Sequence, residues 1–229
     1  MDSYFEEDPN YFSDVIGRAR HLLEERRNIV ALDVGAGIGK AMRAMERAGF
    51  DVHGLEGSED FRDRAIARFG IAPERIKLCD ISEARFEPET FDFIAFSFVL
   101  EHLPNPNEIL AKALSWVKPD GLILVEVPNS QDILARLLNF FFRFRGTNYV
   151  TNISPMHPPY HLYEFAEKSF ELHGRRVGYR VVESLHYTWP FTSLPGWLDK
   201  TLQSAQKLAR RPSQLRVWLQ PAEAVAASS

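Results

Sequence analysis

Two hydrophobic periods alternate along residues 28–129. Short continuous runs rich in Val, Ile, Leu and Phe recur at 29–34, 52–55, 76–78, 91–98 and 122–127, separated by stretches with apolar residues at helical spacing. Continuous apolar runs suit strands buried on both faces, and the helices between them supply the crossovers that parallel strands need. The pattern therefore predicts an α/β fold on a parallel sheet. The clearest helix covers 107–117, where Ile109, Leu110, Ala113 and Val117 share a face. Lys118-Pro119-Asp120-Gly121 reads as the turn that stops it and launches the next strand.

After residue 129 the alternation breaks. Leu137-Leu138-Asn139-Phe140-Phe141-Phe142-Arg143-Phe144 leads into a stretch rich in Pro, His and Tyr that ends near Tyr163. This insertion reads as a core helix or a lid rather than as a membrane-touching surface, because its Phe and Leu spacing fits a buried face. A helix at 167–176, with Phe170, His173 and Val177 on one side, leads to a strand at 179–187. Helical spacing resumes at Trp197, Leu198, Thr201, Leu202, Ala205 and Leu208, and 215–219 reads as a last strand. Lys200, Lys207, Arg210 and Arg211 around that late helix read as a solvated basic face. The expected organisation is one domain over 1–229: a helical segment 1–27, a cofactor-binding core 28–129, the insertion 130–163, the C-terminal part of the sheet 164–221, and a disordered tail 222–229.

Composition narrows the function. With 229 residues, 45% hydrophobic and 25% charged, the chain can bury a core and is neither disordered nor collagen-like. A formal net charge of -4 argues against a nucleic-acid partner held mainly by electrostatics. The single cysteine, Cys79, permits no internal disulfide, no cysteine zinc cluster and no redox pair, which fits a reducing cytoplasm. No apolar run approaches the roughly 18–20 residues of a membrane span. The acidic start (Asp2, Glu6, Glu7, Asp8, Asp14) is the opposite of a signal-peptide n-region. The expectation is a cytoplasmic protein without integral membrane association, acting on a small molecule, with a homodimer compatible with the sequence.

The segment Ile29-Val30-Ala31-Leu32-Asp33-Val34-Gly35-Ala36-Gly37-Ile38-Gly39-Lys40 is an apolar strand running into three alternate glycines and then a helix. Backbone without Cβ atoms lets a ligand come close. A dinucleotide site would read Gly-x-Gly-x-x-Gly with no acid crowding the pyrophosphate. This loop reads Gly-x-Gly-x-Gly, and Asp33 just before it repels a pyrophosphate but attracts an ammonium or sulfonium group. Two more acids close the next strands: Glu56 after Val52-His53-Gly54-Leu55, and Asp80 after Ile76-Lys77-Leu78-Cys79. A carboxylate about 20 residues beyond the glycines can take both ribose hydroxyls. Asp80 can meet an adenine amino group with Ile81 against the ring. Each acid taken singly is also a candidate helix-cap or turn residue.

Together with the strand Phe91-Asp92-Phe93-Ile94, its continuation Ser97-Phe98-Val99-Leu100-Glu101-His102-Leu103, and 114–122 with its Lys-Pro-Asp-Gly turn, these residues resemble class I S-adenosylmethionine-dependent methyltransferases. Pro158-Pro159-Tyr160-His161-Leu162-Tyr163, followed by a helix and a strand, is similar to the small-molecule branch related to ubiquinone-biosynthesis O-methyltransferases. The resemblance implies a doubly wound Rossmann-like sheet of seven strands in the order 3-2-1-4-5-7-6, the seventh antiparallel, with ligand at the switch point between strands one and four. It implies S-adenosyl-L-methionine as cofactor: Asp33, Gly35, Ala36 and Gly37 at the methionine moiety, Glu56 at the ribose, Asp80 and Ile81 at the adenine, and Ser97 at the amino-acid end. The acceptor would be a small organic molecule methylated at oxygen.

A hydroxyl acceptor must lose a proton, and a histidine near neutral pH is a suitable base. His102, His157 and His161 are the candidates, with Phe98 and Tyr160 as substrate contacts. The related O-methyltransferases carry Glu-x-x-Glu-His, a divalent-cation site; this chain keeps Glu101 and His102 but has Phe98 in place of the first acid. Two ligands make a poor magnesium cage, so no metal is expected. The rival readings are a nicotinamide-dependent oxidoreductase, opposed by the glycine spacing and Asp33, and a non-catalytic cofactor-binding protein.

Overall fold

A computed structural model describes residues 9–151, 160–188, 196–208 and 211–222. The strands β1 (Val30–Val34), β2 (Asp51–Glu56), β3 (Ile76–Leu78), β4 (Phe91–Ser97), β5 (Val117–Pro128), β6 (Tyr179–Tyr187) and β7 (Gln214–Pro221) form a seven-stranded mixed sheet in the order 3-2-1-4-5-7-6, as expected. The helices are α1 (Pro9–Leu22), α2 (Lys40–Arg47), α3 (Glu59–Phe69), α4 (Pro106–Trp116), α5 (Ile133–Phe144), α6 (Glu167–Val177) and α7 (Gly196–Leu208). Two compact units divide the chain: residues 1–96 with 109–123 and 220–229, and residues 97–108 with 124–219. Among the described residues no helix is long and apolar enough to cross a membrane.

In the first unit β1 runs parallel to both β2 and β4, with Asp33 opposite Gly54 on one side and Ala95 on the other. Its flanks are buried by Ala31, Leu32, Val34, Met42, Val52, Leu55, Phe93 and Phe96, which explains the continuous apolar runs. The helix α3 starts on Ser58, whose Oγ accepts the Phe61 N–H, and stops on left-handed Gly70. Lys118-Pro119-Asp120-Gly121 is not a separate turn, because β5 already begins at Val117. The side chains explain the segment: buried Asp92 accepts from the Val30 N–H at 2.9 Å, from Arg26 at 2.9 Å and from Lys118 at 2.9 and 3.0 Å, and Arg26 also pairs with Asp120.

The second unit centres on Leu124, Val125, Val127, Phe170, Leu215, Val217 and Trp218, all buried. Here the structure corrects one expectation. The run 137–144 is helical within α5, but Leu137, Leu138, Phe140, Phe141 and Phe144 are exposed. What α5 turns toward the protein is Ala135, buried, with Asn139 and Phe142 half-buried. Asn139 Oδ1 accepts both the N–H and the hydroxyl of Thr151 at 2.7 Å. The expected buried Phe and Leu face is therefore the outer one. Of the expected tail, 223–229 lies outside the described residues.

Candidate functional site

The glycine loop leaves β1 with Gly35, Gly37 and Gly39 all left-handed, at φ 69, 55 and 81°. Its amides turn inward. Gly35 and Ala36 N–H both donate to the Leu55 carbonyl, at 2.8 and 2.9 Å. The Gly37 N–H donates to Glu56 Oε2 at 2.7 Å, and Glu56 Oε1 accepts the Ser58 N–H at 2.8 Å. Glu56, the last residue of β2, thus clasps the loop. A Cβ on Gly37 would find nothing nearer than the Gly35 carbonyl oxygen at 4.0 Å, so the space above it is open. A Cβ on Gly39 would meet Ile71 at 2.9 Å and Ala65 at 3.0 Å, so that glycine serves helix packing.

Behind the loop Asp33 is buried, and burial first, then the charge of Glu56, push its carboxyl up to about 7. Asp80 lies two residues past β3, and its Oδ1 accepts the Ser82 N–H at 2.7 Å. Hydrogen bonds from Ser82 hold that carboxyl below its ordinary range. Asp80 therefore does carry a turn, the bland role open to any acid there, and Ile81 beside it is buried.

In the second unit Glu101, His102, Tyr160 and His161 come together around one chain crossing, while Ser97 and Phe98 are tied to Glu126 instead, through the Ser97 hydroxyl and the Phe98 N–H. Leu162 N–H donates to the Glu101 carbonyl at 2.7 Å, and the Tyr163 hydroxyl donates to the Pro104 carbonyl at 2.7 Å. His102 Nδ1 lies 2.9 Å from the Tyr160 carbonyl oxygen, so Nδ1 carries the proton and Nε2 the lone pair. The His102 and His161 rings meet at 4.7 Å between centroids. Burial, and secondarily the neighbouring His161, lower the His102 pKa, while the bond to Tyr160 opposes them. The Tyr160 side chain is exposed; its backbone makes the contact. Phe98 holds a left-handed φ of 56°, a conformation costing about 1–2 kcal/mol for a residue with a side chain. His157 lies outside the described residues.

Two features escaped the sequence reading. Glu101 is buried, neither of its carboxylate oxygens has a hydrogen-bond partner among the described residues, and burial pushes its carboxyl up to about 7. Its Oε1 is 3.9 Å from His102 Nε2. Glu101, His102 and His161 each offer one donor atom, all within 4.8 Å of one another, so folding adds a third candidate metal ligand to the two visible in sequence. The other feature is Glu126, fully buried, which accepts from Ser97 Oγ at 3.0 Å, the Tyr187 hydroxyl at 3.0 Å and Arg216 Nε at 2.7 Å. An acid inside apolar β5 and an arginine inside apolar β7 were the available signal.

Solved structures share this architecture. A SAM-dependent methyltransferase from Archaeoglobus fulgidus superposes with a TM-score of 0.64 and 17% identity, covering 95% of this chain and 96% of that one. The 1,6-didemethyltoxoflavin-N1-methyltransferase of Burkholderia thailandensis, solved with 1,6-didemethyltoxoflavin and S-adenosylhomocysteine bound, gives 0.61 and 19%, covering 97% and 82%. At such identities the likeness is one of fold, the Rossmann-like sheet of class I methyltransferases. The sequence profile of the family described as methyltransferase domain matches residues 4–184, and the chain belongs to that family. Among its relatives, the ubiquinone biosynthesis O-methyltransferase of Burkholderia orbicola is 29% identical over 128 residues, 55% of this chain and 53% of that protein. The protein of the same name from Photobacterium profundum is 34% identical over 104 residues, 43% of each. The chain spans about half the length of these curated relatives.

Proposed function

We propose that the protein is an S-adenosylmethionine-dependent methyltransferase acting at oxygen on a small organic acceptor, without a metal ion. The observation that carries this reading is the loop above Gly37: open to a ligand, its amides spent on Leu55 and Glu56, with carboxylates behind and beside it. Spent donors and two acids suit a cation bearing ribose hydroxyls and oppose the pyrophosphate of a nicotinamide cofactor. Glu56 takes the ribose, Asp33 with Gly35, Ala36 and Gly37 the methionine moiety, Asp80 and Ile81 the adenine edge, and Ser97 the amino-acid end. The names of the relatives support oxygen as the target.

When bound, S-adenosylmethionine supplies a methyl group on a positive sulfur; its C–S bond breaks as the C–O bond to the acceptor forms, and sulfur keeps the electron pair. The protein's share is to orient the partners, exclude water and receive the acceptor's proton. His102 is suited to receive that proton, because Nδ1 is occupied by the Tyr160 carbonyl, Nε2 has the lone pair, and the lowered pKa keeps the ring neutral near pH 7. Glu101 and His161 flank the proton once it arrives. His102→Ala should lower kcat about 100-fold or more while S-adenosylhomocysteine affinity changes less than about twofold. Unchanged kcat, or loss of both together, would sink the assignment of the base. The same three donors support a second reading, since Glu, His and His suit a borderline divalent ion such as zinc. Activity abolished by a chelator and restored by zinc would favour that reading over the metal-free one.

Asp33 makes donor binding pH-dependent. Its carboxyl is neutral in the free protein below about 7 and charged above. S-adenosylmethionine affinity should therefore rise as pH climbs through that value, with a proton released on binding below it. S-adenosylhomocysteine, which lacks the sulfonium charge, should show a shallower slope in calorimetry. Equal slopes for both would place Asp33 away from the sulfur. The stability sign is opposite: the folded state holds a proton that the unfolded chain has lost between 3.8 and about 7, so Asp33 makes the free protein less stable as pH rises across that window.

A further inference from the structure

The helix α5 wears its most apolar face outward. Leu137, Phe140, Phe141 and Phe144 follow the spacing of a single helical face, and all are exposed, Phe140 to 71% and Phe144 to 84%. The opposite side meets the protein through Ala135, through Asn139 tied to Thr151, and through Phe142, whose ring is 4.9 Å from Tyr149. Arginines border the apolar stripe on both edges: Arg136 and Arg143, a heptad apart, on one, and Arg145, with its guanidinium over the Phe141 ring at 5.8 Å, on the other. Arg136, Arg143 and Arg145 are all exposed, and no Asp or Glu occurs from Ile133 to Thr151. The neighbouring helix α7, joined to α5 by the 2.7 Å bond from Gln206 to Asp132, presents exposed Trp197 (72%) and Lys200.

We propose that this face of the second unit docks the protein on an anionic lipid surface, the phenyl and leucyl side chains entering the acyl boundary and the arginines meeting the headgroup phosphates. A stripe of Phe and Leu edged by cations, on a helix too short to span, is the composition of an interfacial helix. Long cationic side chains keep their charge at headgroup level while their stems lie along the apolar part. Charge decides between the occupants. A twofold pairing through α5 would set the arginines of one copy against those of the other, with no acid on the helix to meet them. A bilayer carrying phosphatidylglycerol supplies the missing anions, at about fivefold in partition for each arginine near its surface.

Flotation of the full chain with vesicles of phosphatidylcholine plus phosphatidylglycerol, and of phosphatidylcholine alone, tests this. Wild type should float with the anionic vesicles, release as salt is raised, and bind the neutral ones far less. The pair Phe140→Ser with Phe144→Ser should lower the bound fraction about tenfold or more, and Arg143→Glu should do the same. All three positions are exposed, so the thermal midpoint and far-ultraviolet spectrum should stay as in wild type, which separates lost docking from lost folding. The proposal is overturned if wild type stays with the soluble fraction, if the double serine variant floats undiminished, or if neutral vesicles bind equally. It is also overturned if nothing floats and the serine changes instead convert a dimer to a monomer by light scattering, because the face then belongs to a second copy.

Discussion

Glu56→Ala should weaken S-adenosylmethionine binding by about 100-fold or more. Charge-assisted hydrogen bonds to two ribose hydroxyls are worth about 1.5–3 kcal/mol each, and both disappear with the carboxylate. The structure adds a second loss, because Glu56 also holds the Gly37 and Ser58 N–H groups at 2.7 and 2.8 Å. Without it the glycine loop keeps, among the described residues, its ties to Leu55 and to its own turn. Glu56→Gln separates the two contributions: the amide oxygen can keep one backbone anchor, while its NH2 group faces the other donor. Its affinity should fall between wild type and Glu56→Ala. Removing Glu56 also removes one of the two causes that raise the Asp33 carboxyl, so the pH midpoint of donor binding should move down. Calorimetry with donor and product, on variants whose unfolding transition is intact, reads all of this. Wild-type affinity in a folded Glu56→Ala protein would remove the donor site from this loop.

Arg216→Met should cost about 3–5 kcal/mol of stability, the penalty for removing one partner of a buried ion pair. Glu126 is fully buried and Arg216 nearly so, with 2.7 Å between Nε and Oε1. The hydroxyls of Ser97 and Tyr187 also reach Glu126, and they give hydrogen bonds but no opposing charge. Adding Glu126→Gln should restore much of the loss, since the double variant no longer buries a net charge. Urea unfolding midpoints at constant slope are the measurement. A single variant within about 1 kcal/mol of wild type would mean that water or another group reaches Glu126. Ser97, proposed for the donor's amino-acid end, takes its orientation from the same acid, so donor affinity should also drop in Arg216→Met.

How much of this was readable in advance follows from what each pattern encodes. Strands β1, β2, β3, β4 and β6 lie within two residues of their expected spans, because apolar runs bounded by turn residues carry their own limits. Three alternate glycines after a strand similarly announce a loop of left-handed backbone. Helical spacing is less informative for α5: it says that Leu137, Phe140, Phe141 and Phe144 share a face and is silent on whether that face meets the protein. The meeting of His102 with His161, far apart in the chain, depends on how the segment ending in Tyr163 crosses residues 101–104, which no local rule supplies. Asp80 shows the converse hazard, since the residue type that suits adenine also suits the turn to Ser82 that it makes.

His102 is held through the main-chain oxygen of Tyr160, while the side chain of that residue is exposed. A backbone oxygen is common to all amino acids, so the tautomer of His102 is indifferent to which residue occupies position 160. Under the proposed roles of His102 as base and Tyr160 as acceptor contact, a mutagenesis library can then rewrite that side chain to suit new acceptors without touching the base. Saturating position 160 is accordingly the first place to seek altered acceptor preference at undiminished proton-transfer capacity.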